Sequence, residues 1–280
     1  MVCFTVGQVV GELPGGEPVR GVTMLDGMFC VLRDKSSSQV EMYDIATYRL
    51  LRCLTVPDAR GFSDMTSCEH YHYVYLSDHV AKCVHRLDLQ NNAKKWSVND
   101  VPACLSVNAA RNLLVACSDV DKVKEFSSNG NYLRDIPLPG GIRNPRHAVE
   151  LRTGEVVVCH GSSSRNDQIH RVCVVSADGR HIVHSHGGQK GSDTGHYNGP
   201  HHLAVDDDEF VFVVDAFNRR VTLLSPTLIY IRHVMTRREL KRWPGRLCLD
   251  AQGHRLYVTD NEVKEGKTTA GRVVVLSVSP

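Results

Sequence analysis

Short apolar runs recur along this chain from end to end, each closed by a turn residue or a charge. They come in pairs: GVTML and MFCVL (21–25, 28–32), YVYLSD and VHRLDL (73–78, 84–89), LLVACSD and VKEF (113–119, 123–126). EVVVCH and RVCVV (155–160, 171–175), VFVV and VTLL (211–214, 221–224), and RLYVTD and RVVVLSV (255–260, 272–278) continue the series. Runs this short, rich in β-branched and aromatic residues, predict β-strands that pack on a pleated surface. SSNG at 127–130 and ADG at 177–179 supply the φ > 0 positions that tight hairpins require. TRRELKRW at 236–243 has helical spacing for about one turn.

The pairs keep a period. The position two residues after each loop-ending Pro, or its equivalent, gives Arg20, Asp64, Cys104, His147, His202 and Arg246, spaced by 44, 40, 43, 55 and 44. The ends of the second strands give a matching series: Asp34, Asp78, Asp119, the His160 region, Asp215 and Asp260. Alternating strands alone would also allow a β-sandwich, but six in-phase units predict an all-β, six-bladed β-propeller. The expected blades are 18–60, 61–101, 102–144, 145–199, 200–243 and 244–280, in a single domain over 1–280. The last unit lacks a fourth strand. Residues 2–10, VCFTVGQVV, have no partner of their own, so they are expected to complete it and close the ring. An open ring would leave strand edges unpaired.

Residues 186–224 are the most regular unit. A Gly-rich loop reaches Pro200, the strand LAV follows, then VFVV, and Asp215, Asn218 and Arg220 form an Asp-x-x-Asn-x-Arg turn. This stretch resembles an NHL repeat, like those of the NHL domains of tripartite-motif proteins. The resemblance implies a six-bladed propeller whose positive top face takes RNA or protein partners. No RING or B-box pattern precedes it, so ubiquitin-ligase activity is not implied. A more remote likeness to amidating-lyase propellers implies zinc held by channel histidines. Lactonase propellers are more distant still, their central acidic cluster being matched only by Asp64.

Charge changes the picture in one place. The net charge of the 280 residues is +2, which points to neither nucleic acid nor membrane as a whole. Yet residues 1–140 carry 14 basic and 16 acidic side chains, and residues 141–280 carry 19 and 15, with eleven of the fifteen histidines. In a four-stranded meander, the loops entering each inner strand and those joining strands two and three share one face. That face, the top, is expected to collect Arg143, Arg146, Arg219, Arg237, Arg238, Lys241, Arg242 and Arg246. The acidic run Asp206–Glu209 goes to the bottom. These cations form the expected contact surface for a protein or RNA partner, with Trp243, Tyr197 or Tyr230 as stacking surface. An ordinary solvated face is the structural alternative.

Cys104, His147 and His202 occupy equivalent positions of three consecutive blades, where side chains converge on the channel. Thiolate and imidazole are zinc ligands, so a zinc-dependent hydrolase or lyase is the alternative function, and channel filling is the structural one. On the leading reading no cofactor is expected. Four loop histidines, His184, His186, His196 and His201, form a further metal candidate. Asp215 to Arg220 reads as a structural turn. The ten cysteines contain no Cys-x-x-Cys pair, and Cys30, Cys117, Cys159, Cys173 and Cys248 fall in apolar runs. No run approaches the ~20 apolar residues of a membrane helix, and MVCFTVGQVV lacks a signal-peptide pattern. The expectation is a reduced, cytoplasmic monomer without membrane contact. SSSRND at 162–167 is expected to form a mobile top loop.

Overall fold

A computed structural model describes residues 5–34, 38–161, 168–265 and 267–279. They form six antiparallel sheets of four strands, arranged as the blades of a ring. Blades one to five are simple meanders, such as Pro200–Val205, Val211–Asp215, Arg220–Leu224 and Tyr230–Met235 in blade five. Blade six takes three strands from the C-terminal end and its outermost strand, Thr5–Gly16, from the N-terminal end. That strand pairs antiparallel with Lys267–Ser279, so the closure expected of residues 2–10 is observed from Thr5 onward, with residues 2–4 outside the described residues. Asn261 then ties blade six to blade one, accepting from the Val19 amide and donating to its carbonyl, both at 2.9 Å. The loop 162–167 also lies outside the described residues.

Burial explains the strand pattern. Second strands such as Val156–His160 and Val211–Asp215 are buried at every position, because both faces are covered by neighbouring blades. Fourth strands lie on the rim and are largely exposed, as in Ala93–Ser97. Apolar side chains therefore pool between blades: Val214, Leu223, Leu247 and Val258 interlock between blades five and six. The two expected turns form as Gly130 and Gly179, with φ of 83° and 71°, and both amides bond back three residues. At 236–243 there is one capped turn. The Glu239 and Leu240 amides donate to the Thr236 carbonyl, and Glu239 accepts from the Thr236 amide and hydroxyl. No described helix is long and apolar enough to cross a membrane.

The repeat anchors need two corrections. In the strand ladders, Asp64, Cys104, His147 and His202 are matched in blade one by Gly21, and Arg20 sits one residue earlier, on the bulge. Pro18 precedes its strand, whereas Pro102, Pro145 and Pro200 begin theirs, so counting from Pro slips by one. Glycine is needed there because a Cβ on Gly21 would lie 2.5 Å from the Met65 Cβ. The strand ends equivalent to Asp78, Asp215 and Asp260 are likewise Arg33 and Cys117, not Asp34 and Asp119.

Candidate functional site

Five ring side chains meet in the channel and close it. Asp64, Cys104, His147, His202 and Arg246 are all buried. Each stands near the top of a first strand, where a bulge turns it toward the axis. Asp64 Oδ1 accepts from Arg246 Nε at 2.7 Å and Oδ2 accepts from the Leu105 amide at 2.8 Å. Burial alone would raise the Asp64 carboxyl, but Arg246 and then His202 outweigh it and hold it well below the usual carboxylate range. Arg246 also reaches the Ser63 carbonyl. Expected on the open contact surface, Arg246 instead lies inside the channel mouth with its guanidinium engaged, because a buried carboxylate draws it inward.

The two ring histidines stack, with centroids 3.9 Å apart and planes at 12°. His147 Nδ1 accepts from the Leu203 amide at 3.1 Å, so its proton is on Nε2, which donates to the Leu105 carbonyl at 3.0 Å. Burial, and then His202, push His147 down to about 3, so it is neutral at physiological pH. His202 makes no hydrogen bond from either ring nitrogen, and its Nε2 lies 3.6 Å from Asp64 Oδ2. Asp64, His147 and His202 bring ligand atoms within 4.8 Å of one another, whereas Cys104 is not part of that cluster. Burial raises the Cys104 thiol strongly. Zinc there would have to displace at least one backbone bond of His147 and would sit beside the Arg246 guanidinium already paired with Asp64. Below this plug a second cavity of about 320 Å³ is lined by Thr23, Ser106, His147 and His202.

Above the plug, a cavity of about 420 Å³ opens to the top face between Arg20, Arg146, His201, Phe217, Trp243 and Arg246. His201 lies between two guanidiniums, with Arg146 Nη2 2.6 Å from its Nε2 and Arg246 Nη1 2.6 Å from its Nδ1. Burial, then Arg146 and Arg246, hold His201 well below its ordinary value. A neutral ring can accept from only one of the two guanidiniums, and its Nδ1 also lies 3.1 Å from the Gly245 carbonyl. Only the loop position of His201 was legible in the sequence; its place on the bulge next to His202 could have located it at the mouth.

The remaining basic residues separate into two groups. Arg143 is exposed and pairs with Asp121 at 2.9 Å. Arg219, Arg237, Arg238 and Lys241 surround a concavity of about 630 Å³, with Arg242 following on the same turn. Arg219 donates to the Lys241 carbonyl at 3.5 Å. Among the described residues, none of these five cations forms an ion pair with a carboxylate. Glu239, the nearest acid in sequence, is spent on Thr236. Arg220 at the back of the concavity is structural: it pairs with Asp215 at 2.7 Å and donates to the carbonyls of Ser192, Asp193 and His196, pinning the Gly-rich loop.

Of the expected stacking residues, Tyr197 is buried in the core between blades four and five and offers no face to a ligand. Tyr230 is half-buried beside His186 and His233. Trp243 stands against Phe217, with centroids 4.5 Å apart and planes at 83°. His184 and His186 sit two apart on the outer strand of blade four, but no three ligand atoms gather around them among the described residues. Asp206, Asp207 and Asp208 line a separate hollow with His254.

No family model and no curated protein matches the chain. Solved structures do. The PQQ-bound aldose sugar dehydrogenase of Streptomyces coelicolor is 12% identical, with 99% of each chain covered and a TM-score of 0.69. The virginiamycin B lyase of Staphylococcus aureus is 9% identical, with 95% of this chain and 99% of that one covered and a TM-score of 0.64. Hydrazine synthase of Kuenenia stuttgartiensis is 13% identical over 92% and 95%, with a TM-score of 0.62. At these identities the likeness establishes the propeller fold and nothing about the site.

Proposed function

We propose that this propeller is a non-catalytic recognition module, which grips an acidic or phosphorylated segment of a protein partner with the open basic patch of blades five and six. One observation carries the reading: Arg219, Arg237, Arg238 and Lys241 crowd one concavity with no carboxylate paired to them among the described residues. Other exposed cations differ singly, Lys95, Lys122, Arg143 and Arg152 each holding an acid and Lys94 and Lys190 none among the described residues, but none of these crowds with others in one concavity. Self-repelling guanidiniums gain most from an anion that bonds several at once. The NHL-like turn of blade five supports the same face as the recognition surface. A protein is favoured over RNA because single-stranded RNA needs open aromatic platforms, and burial of Tyr197 leaves mainly Trp243. Nine described cysteines are free, which supports a reduced compartment such as the cytoplasm.

The test is binding of a fluorescent phosphoserine- and glutamate-rich peptide pool, with single-stranded RNA homopolymer as the rival probe. Reversing Arg238→Glu and Lys241→Glu together should weaken peptide binding at least about tenfold and flatten its salt dependence. Binding indifferent to both reversals refutes the patch, and preferential RNA binding that these reversals abolish moves the partner to RNA. A second reading, a zinc-dependent hydrolase or lyase at the channel, is favoured by His202, whose two nitrogens are unbonded and whose Nε2 faces Asp64. It requires bound zinc that is lost on His202→Gln.

A further inference from the structure

The strand-end aspartate of blade five recurs in blades two and six, and blade two faces it with a different residue. The ladders set Asp215 opposite Arg220 in blade five and Asp260 opposite Arg272 in blade six. Both are ion pairs, of 2.7 and 2.8 Å, on fully buried carboxylates. Lys122 and Arg171 hold the facing position in blades three and four. In blade two the ladder sets Asp78 opposite Cys83. Asp78 is fully buried, yet no lysine or arginine pairs with it among the described residues. Its Oδ1 accepts from the Val80 and Ala81 amides and its Oδ2 from the Arg60 amide. A carboxylate oxygen has two lone-pair sites, so one site remains, on Oδ2.

His85 follows Cys83 by two residues on the same strand and shows the same face. Its Nε2 lies 3.4 Å from Cys83 Sγ and 3.5 Å from Asp78 Oδ2. The three ligand atoms all fall within 4.8 Å of one another. Tetrahedral zinc, with bonds of about 2.3 Å to sulfur and about 2.0–2.2 Å to nitrogen and oxygen, sets neighbouring ligand atoms about 3.4–3.6 Å apart. We propose that Asp78, Cys83 and His85 form a zinc site in which the metal replaces the guanidinium that blades five and six use. Thiolate, imidazole and carboxylate together suit zinc better than calcium or magnesium. Loading breaks the Cys83 S–H bond, forms a Zn–S bond and releases the proton to solvent, while His85 contributes its Nε2 lone pair. Water takes the fourth position along the exposed edge of Cys83, which is 7% accessible.

The surroundings tolerate a cation. Lys95 stands opposite His85 and is already paired with Asp58 at 3.0 Å, and Arg60 is the other cation that acts on the Cys83 thiol. The channel cluster is less suited, since both nitrogens of His147 are committed to the backbone and the Arg246 guanidinium already neutralises Asp64. Without metal, burial and then Asp78 push the Cys83 thiol up to about 11, so it stays protonated at neutral pH until zinc displaces the proton.

Zinc chloride is added to the chelator-stripped 280-residue chain and followed by melting and metal content, and cobalt chloride by its thiolate-to-metal absorption. The expected result is one metal per chain, a thiolate band, and a Tm rise of about 5 °C or more at a hundredfold excess over Kd. Both signals should vanish in Cys83→Ser and in Cys83→Arg, and persist in His202→Gln. Cys83→Arg rebuilds the Asp–Arg pair of blade five, so it should melt no lower than the metal-free wild type, which separates loss of metal from loss of fold. A wild type with no metal-dependent Tm rise and no thiolate band overturns the proposal. So does a band that survives Cys83→Arg, or zinc lost only in His202→Gln, which would place the metal in the channel.

Discussion

Blades two and five solve the same problem with different chemistry. Each ends its second strand in a fully buried aspartate, Asp78 or Asp215, that ties down the loop entering its blade. In blade five, Asp215 accepts from the Asn198 amide, from Asn218 Nδ2 and from Arg220 Nε. In blade two, three backbone amides do this work, and among the described residues no guanidinium pairs with Asp78. In blades two, five and six the fold uses a carboxylate as the acceptor at this corner. It does not dictate what balances the charge, and at that unfixed position the blades acquire different properties. Blade one even reverses the polarity, with buried Arg33 bonded to Glu41 at 2.9 Å and to the Glu17 carbonyl.

The comparison is broken most severely at Arg220. Arg220→Ala leaves Asp215 as a buried charge without its partner and frees three loop carbonyls, so it should cost about 3–5 kcal/mol of stability. Guanidinium chloride unfolding measures it. The matching change in blade two, Cys83→Ala in metal-free protein, removes a small buried side chain and no charge, and should cost about 1 kcal/mol. Similar costs at the two sites would mean that the Asp215–Arg220 pair contributes little beyond packing. Asp215→Ala should fall near the Arg220 value rather than add to it, because one network is being measured twice.

How much of this was legible without coordinates depends on the kind of residue. Six blades, the closing strand and the turns at Gly130 and Gly179 follow from strand period and glycine placement, since backbone chemistry at those points allows few alternatives. The ring members Cys104, His147 and His202 follow from counting two past the Pro that begins each strand, and Asp64 from the repeat period. The count from Pro failed at Gly21, where the close approach of Met65 decides. Charge placement was less legible. Arg246 counts as one more cation in the sequence, and only the position of Asp64, 182 residues away, turns it inward. Tyr197 resembles a surface aromatic in a Gly-rich loop, yet it fills the core between two blades. The blade-two cluster carries a local signal in the sequence: a Cys at the Arg position after a strand-ending Asp, with a His two residues on.

The smallest effect tests the same contrast through protonation. Burial, and then the charge of Arg220, lower His233 in blade five to about 4. Burial also lowers His85 in blade two, but there the neighbouring Asp78 opposes it. A histidine whose folded pKa lies below its unfolded value of about 6.5 binds fewer protons folded than unfolded between the two. Stability is therefore fully present above about pH 6.5 and declines as pH falls, and for His233 the decline ends near pH 4. His233→Gln keeps a hydrogen-bonding side chain beside Thr222 but cannot titrate, so it should flatten the fall of Tm between pH 6.5 and 4. His85→Gln should flatten it less, because Asp78 already favours the charged ring. If the blade-two variant flattened the profile more than the blade-five variant, the carboxylate of Asp78 would not be offsetting burial at His85. The charge left open in blade two would then have to be balanced by another group.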